Sequence, residues 1–207
     1  MAVKLYDYPK SGNGYKVRLL LAHLAIPYRY LPLDILQGET RTQEFLARNP
    51  NGKIPVLELD DGRILAESNA ILYWLAQNTP YWPAASFAQS QVLQWLFFEQ
   101  YSHEPNIAAA RFWISIRGLD GSALEAQQLE QKHRAGNAAL AVMEQHLQER
   151  PFFVDDTYSI ADIALYAYTH VAGAGGFELH RYPAVQAWLE RVRSQPEHVR
   201  ITDWQAG

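Results

Sequence analysis

The sequence contains no cysteine. That excludes disulfides, thiolate metal sites and a cysteine nucleophile together, so any thiol chemistry must use a thiol brought by a ligand. Long hydrophobic runs are also missing: none approaches the ~20 residues that a membrane-spanning helix needs. The first residues, Met1-Ala2-Val3-Lys4-Leu5-Tyr6, read as a strand and lack the extended apolar core of a signal peptide. A cytoplasmic protein without a membrane segment is expected. Positive charge is nowhere concentrated. Lys and Arg number 18 against 22 Asp and Glu, a net charge of −4, which argues against nucleic-acid binding as the main task. Seven histidines occur with no HExxH and no comparable close ligand cluster, so no metal is expected. Internal repeats and low-complexity tracts are absent as well.

What is present suits a globular chain. At 207 residues and 48% apolar content, it is long enough for one large domain or two small ones. Composition shifts at Gln77-Asn78-Thr79-Pro80-Tyr81-Trp82-Pro83, where two prolines in four residues mark a linker. Strand signals precede it and vanish after it. The expected division is a mixed domain over 1–77, a linker over 78–85 and an all-helical domain over 86–207.

In the first part, residues 3–8 read as a strand. Pro9 to Gly14 is a turn with two glycines, and the helix that follows carries Val17, Leu20, Leu21 and Leu24 on its inner face. Tyr28 to Leu33 is a second strand, and Thr42 to Arg48 a short helix. After the turn Asn49-Pro50-Asn51-Gly52, Pro55 stands at the mouth of a strand, where a missing N–H is tolerated. Asp60-Asp61-Gly62 is a tight-turn signal, with Arg63-Ile64-Leu65 as the return strand. Glu67-Ser68 then opens an apolar helix through Ile71, Leu72, Trp74 and Leu75. The resulting order, βαβαββα, matches a thioredoxin-like domain. Its opening strand–helix–strand implies a parallel pair with a right-handed crossover, and its closing hairpin is antiparallel.

In the second part, 86–117 and 122–149 read as two long helices, the first rich in aromatics between Glu99 and Trp113. Ser159-Ile160-Ala161-Asp162 is a capping-box variant, with Tyr158 and Ile163 at the staple positions and a structural role. Ala184 to Arg193 is a final helix with Val185, Trp188, Leu189 and Val192 on one face.

Chemistry concentrates around Glu67 and Ser68. A serine at a helix start, beside outward backbone N–H groups, attracts a carboxylate, and the adjacent glutamate attracts an ammonium. Together they suit the α-amino-acid end of a ligand. A purely structural reading also stands: Ser68 as a helix cap and Glu67 as dipole chemistry.

Asn-Pro-Asn-Gly-Lys-Ile-Pro-Val-Leu at 49–57, followed by Leu-Ala-Glu-Ser-Asn-Ala-Ile-Leu at 65–72, resembles the glutathione-binding half of the cytosolic glutathione transferases. The resemblance is strongest over 49–75, good over 1–30 and 151–195, and architectural over 86–150. It implies that Pro55 is cis, that Ile54 pairs through its backbone with the cysteinyl part of glutathione, and that Glu67 and Ser68 hold the γ-glutamyl end. Lys53 matches a position that often reaches the glycyl carboxylate. Thr40, Arg41 and Gln37 are softer candidates for the same end.

The family places its thiol-activating residue in the first turn or the strand before it. Ser11 is the first candidate and Asn13 the second, each as a hydrogen-bond donor to the sulfur. Ser-Gly-Asn-Gly-Tyr-Lys-Val at 11–17 resembles bacterial transferases of the Nu-like group. Tyr6 and Tyr8 are weaker candidates. Turn formation alone also accounts for Ser, Gly and Asn here.

The second-substrate pocket is expected from the helical domain, at Tyr101, His103, Asn106, Arg111, Phe112 and Trp113, unless these residues form its core. Glu104 is a candidate to meet a partner subunit's glutathione. The resemblance thus implies a homodimeric transferase with glutathione as co-substrate and no cofactor, acting on an electrophilic small molecule. Glutathione-dependent peroxide or disulfide reduction, and a non-catalytic glutathione-binding module, are the alternatives.

Overall fold

The structure is a computed structural model and describes residues 3–119 and 121–204. Its contacts divide the chain into two units, Met1–Thr79 with Pro196–Gly207, and Pro80–Gln195.

In the first unit, β1 (Val3–Asp7), α1 (Gly12–His23) and β2 (Tyr28–Pro32) form the opening crossover; α2 (Gln43–Arg48), β3 (Val56–Glu58), β4 (Ile64–Ala66) and α3 (Ser68–Ala76) follow. The sheet order is β2-β1-β3-β4, with β1 parallel to β2 and antiparallel to β3, and β3 antiparallel to β4. This is the thioredoxin-like arrangement expected. Strand alternation sets the faces: Val3, Leu5 and Asp7 are buried, while Lys4 and Tyr6 lie on the other side. There Lys4 Nζ and Tyr6 Oη both donate to the Glu58 carboxylate, at 2.6 and 2.8 Å. Lys4 and Glu58 are direct cross-strand partners, so this polar ladder supports the pairing register. At the hairpin tip Gly62 has φ +83°, which the Asp-Gly signal anticipated.

Two details depart from expectation. The turn after β1 is shorter, because Ser11 caps α1 and Gly12, Asn13 and Gly14 already lie in its first turn. And α1 is not amphipathic: every residue from Gly14 to Leu21 is buried, Lys16 and Arg18 included, while Leu24 is only half-buried. The reason lies at the far end of the chain. Residues 196–204, assigned from sequence to the helical domain, pack in the first unit against α1. Tyr15 Oη donates to Val199 O at 2.7 Å, and Arg18 Nη1 to Ile201 O at 3.0 Å.

Among the described residues, the second unit is built of helices, with one isolated bridge between Val154 and Thr157. Its first rod runs from Ser86 to Arg117 as α4 (Ser86–Phe98), a π turn (Glu99–His103), α5 (Glu104–Arg111) and a second π turn (Phe112–Arg117). Then come α6 (Ala123–Leu147), α7 (Ile160–Thr169) and α8 (Pro183–Arg193). Every residue of α7 is buried, which marks it as the central helix of this unit. No described helix is long and apolar enough to cross a membrane.

Asp162 organises the start of α7. Its Oδ2 accepts from Ser159 N at 3.0 Å and completes the capping box. Its Oδ1 accepts from Trp188 Nε1 at 2.9 Å and from Phe153 N at 3.2 Å, tying α8 and the preceding loop to the same carboxyl. Burial pushes this carboxyl up to about 6, against the pull of those donors. Replacing it by alanine would leave buried N–H groups unpaired, each costing about 1–3 kcal/mol. Asp162→Ala is therefore expected to lower the thermal midpoint by on the order of 10 °C. Differential scanning calorimetry checks this, and a midpoint within experimental error of wild type would refute the organising role.

Candidate functional site

The sheet register gathers the candidate residues of the first unit. Tyr6 pairs with Val56, and Val56 with Ala66. One step further along the same register lie Asp7, Pro55 and Glu67, at the sheet end where α1 and α3 both begin. The Ile54–Pro55 bond is cis.

The two helix starts are joined by side chains. Ser68 Oγ donates to Asn13 Oδ1 at 3.2 Å and accepts from Lys16 Nζ, also at 3.2 Å. Lys16 Nζ further donates to Asn69 Oδ1 at 3.4 Å. Lys16 and Ser68 are buried, whereas Asn13 is half-buried. Sequence reasoning missed Lys16. The available signal was its place one helical turn after Asn13, on the same face. Ser68 is also not the helix cap. Glu67 holds the N-cap position, with φ +69° and no capping bond from its side chain, and Ser68 is the first helical residue. Its hydroxyl serves the neighbouring helix instead. A non-glycine residue in the left-handed region is uncommon and carries a cost, here at an exposed acidic residue beside the helix start.

Ser11 caps α1: Gly14 N donates to its Oγ at 3.2 Å, and its own N donates to Tyr8 O at 2.8 Å. Asn13 faces Ser68 with its acceptor oxygen, which makes Nδ2 the donor end of that amide. Beneath this turn lies Asp7. A Cβ on Gly14 would stand 1.7 Å from Asp7 Oδ1, so only glycine fits there. Asp7 is fully buried, with Arg18 Nε 3.3 Å from its Oδ2 and Tyr30 Oη donating to the same oxygen at 3.3 Å. Burial pushes its carboxyl up to about 7, with the Arg18 charge working in the opposite direction.

The loop before Pro55 is shaped by a second residue that sequence reasoning passed over as a plain turn former. Asn49 Nδ2 donates to Lys53 O at 2.7 Å, while its Oδ1 accepts from Asn51 N at 3.1 Å. Arg41 Nη1 donates to Asn51 O at 3.2 Å, so Arg41 braces this loop. Thr40 is buried in the short 3-10 turn Glu39–Arg41. Lys53 and Gln37 are exposed, and Ile54 is half-buried. Tyr6 is engaged with Glu58 and lies under the Arg48 guanidinium, 5.0 Å from the ring centroid. Tyr8 is half-buried just past the end of β1.

In the second unit the candidates separate. Tyr101 is 88% exposed and, with Phe98, Asn106, Ala139 and Val142, lines a groove of about 310 Å³. His103 is a core residue rather than a pocket wall. It is fully buried, with Nε2 2.8 Å from Thr169 Oγ1 on the central helix. The π turn that separates it from Tyr101 has both an exposed and a buried side, and the two residues fall on opposite ones. Arg111 and Phe112 are half-buried, and a Cβ on Gly175 would lie 2.9 Å from the Arg111 backbone nitrogen. Trp113 is half-buried, its ring under the Arg117 guanidinium at 5.9 Å, and Glu104 is half-buried.

Residues 1–77 match the family model described as glutathione S-transferase, N-terminal domain, and residues 94–196 match the glutathione S-transferase C-terminal domain. A relative from Escherichia coli K12, named disulfide-bond oxidoreductase YfcG, is 31% identical over 202 residues, spanning 94% of this chain and 91% of its own. The crystal structure of a glutathione S-transferase from Pseudomonas fluorescens Pf-5 superposes with TM-score 0.95 at 53% identity, covering 98% of this chain and 100% of that one. Ure2p in complex with glutathione superposes with TM-score 0.85 at 27% identity, covering 95% and 90%.

The raised Asp7 carboxyl sets a pH dependence. Its folded value of about 7 exceeds the ordinary 3.8, so its protonated form is favoured by the folded state. The stability this contributes is fully present below about pH 4 and is lost as pH rises through about 7. The difference in thermal midpoint between wild type and Asp7→Asn should therefore shift against the wild type between pH 4 and pH 7.5. A difference that stays level or moves the other way would show that this carboxyl is ionised throughout.

Proposed function

The chain belongs to the glutathione S-transferase family, and from that premise we propose that it binds glutathione at the α1–α3 end of its sheet and activates the thiol for attack on electrophilic small molecules. The observation that carries this reading is the Asn13–Ser68 hydrogen bond of 3.2 Å, backed by Lys16. It couples the turn proposed to face the sulfur to the helix start proposed to hold the γ-glutamyl end. In this reading Ile54 pairs through its backbone with the cysteinyl part, Glu67 receives the ammonium, and Ser68 with the α3 N-terminus receives the carboxylate. Lys53, and less directly Thr40, serve the glycyl end. Ser11 or Asn13 donates to the sulfur, and lowering a thiol pKa by ~2 units requires roughly 2.7 kcal/mol of preference for the thiolate. Charge-assisted hydrogen bonds and a helix N-terminus are of that size.

A second reading is favoured by the similarity to a protein named as a disulfide-bond oxidoreductase, and the absence of cysteine does not forbid it, because glutathione supplies both sulfurs. One glutathione thiolate attacks a disulfide to form a mixed disulfide and release a thiol. A second glutathione then resolves the mixed disulfide to glutathione disulfide and the other thiol. Reduction of a hydroperoxide by two glutathiones, giving glutathione disulfide, alcohol and water, belongs to the same reading. The similarity to glutathione-bound Ure2p supports binding and is compatible with a module that holds glutathione without activating it. In the second unit, Leu93, Phe97 and Tyr101 are exposed at four-residue spacing, and this apolar stripe supports a homodimer.

A pH titration of thiolate absorbance on bound glutathione tests the main reading. Wild type should show a depressed thiol pKa, and Ser11→Ala or Asn13→Ala should raise it, naming the donor. Tight binding with an unshifted thiol would overturn activation and leave the binding module. Lys16→Met, which removes the support of Ser68, should weaken glutathione binding by about tenfold in isothermal titration calorimetry. Unchanged affinity would remove Ser68 from the ligand's contacts.

A further inference from the structure

We propose that Arg18 is a positioning residue for the turn that carries Ser11 and Asn13, and that the C-terminal segment 196–204 is the part of the chain that holds Arg18 in place. The proposal rests on the thiol-activation reading for its consequence, though not for its geometry.

Arg18 is fully buried on α1, and its guanidinium meets three separate pieces of chain. Nη2 donates to Pro9 O at 3.1 Å, inside the turn and two residues before Ser11. Nη1 donates to Ile201 O at 3.0 Å, in the C-terminal segment. Nε lies 3.3 Å from Asp7 Oδ2, at the end of β1. A planar fork with five N–H donors can bridge three acceptors in fixed directions; a lysine ammonium at the same place would keep the charge and lose the bridge.

The chain leaves β1 at Asp7, folds back through Tyr8 to Lys10, and enters α1 at Ser11, whose amide closes the turn onto Tyr8 O at 2.8 Å. Pro9 O is the carbonyl inside that loop. Anchoring it fixes the direction in which Ser11 and the first turn of α1 set off, and Asp7 fills the space under Gly14. The Arg18–Asp7 pair thus supports the turn from both of its ends.

The C-terminal segment is secured independently of Arg18. Tyr15 Oη donates to Val199 O at 2.7 Å, and His23 Nδ1 donates to Pro196 O at 2.8 Å. The Trp204 ring sits 5.7 Å from that of Tyr30, the residue that also donates to Asp7. Covering Arg18 excludes water from its carbonyl bonds, and buried hydrogen bonds from a charged donor are stronger and more directional than exposed ones. The last residues of the chain thereby act on the first turn.

The test uses full-length Arg18→Lys, Tyr15→Phe and Trp204→Ala, with two readouts. Amide hydrogen exchange at Ser11 and Gly14 reports the turn directly. Thiolate absorbance of bound glutathione against pH reports the chemistry. Exchange at both amides should quicken in all three variants, most in Arg18→Lys. In that variant the bound thiol pKa should rise by about one unit, with kcat at neutral pH down about threefold and KM nearly unchanged. Tyr15→Phe and Trp204→Ala should move both readouts in the same direction by less. If Arg18→Lys does not fold, those two variants decide. Wild-type exchange at Ser11 and Gly14 in Tyr15→Phe and Trp204→Ala would overturn the proposal, as would an unchanged thiol pKa in a folded Arg18→Lys. Should the wild-type thiol itself be unshifted, thiol activation fails and the positioning role stands or falls on the exchange rates alone.

Discussion

A lysine ammonium buried between two helix starts is the constraint on which the first unit's site depends. Burying a charge is costly unless its hydrogen bonds are met. Lys16 meets them with Ser68 Oγ and Asn69 Oδ1 on α3, and so draws the start of that helix onto the face of α1. Ser68 in turn donates to Asn13, so one charge orders three polar side chains. The sheet supplies the other half of the placement. Its register sets Asp7, Pro55 and Glu67 at one end, and both helices leave from there.

Each unit is organised around buried ionisable groups that gather separate segments. In the second unit Asp162 takes N–H donors from its own cap, from the preceding loop and from Trp188 on α8. In the first unit Asp7 and Arg18 do the same for the end of β1, the turn at Pro9 and the C-terminal segment. The physical logic is shared. A short backbone stretch cannot satisfy all its polar groups locally, so a buried side chain with several directional bonds fixes where the pieces meet. Apolar packing around such a point supplies burial without direction, as along α7.

Much of the fold was legible because its signals are local. Alternation in β1, the Asp-Gly hairpin, the proline-rich break near residue 80 and the Ser-x-x-Asp cap each need only a few neighbouring residues to be read. The positions of Ser11, Asn13, Glu67 and Ser68 were legible because their motifs stand between strands and helices. Lys16 and Asn49 were not. A lysine within an apolar helix reads as a solvated charge, and an asparagine before proline reads as a turn. For His103 the sequence left pocket wall and core both open for a related reason: in an aromatic-rich helix, adjacent positions look alike until the π turns decide which face each occupies.

The sequence by itself determined the order of elements, the family, the position of Pro55 at the mouth of its strand and the polar residues available at the helix starts, since these depend on local propensity and short motifs. Only the tertiary structure decided what those residues do for one another. Ser68 serves Asn13 and Lys16 rather than capping its own helix. The chain end from 196 to 204 belongs with α1. Arg18 reaches a carbonyl nine residues before it and another 183 residues after it. Such partners are set by sheet register and helix packing, which bring together atoms whose separation along the chain carries no signal.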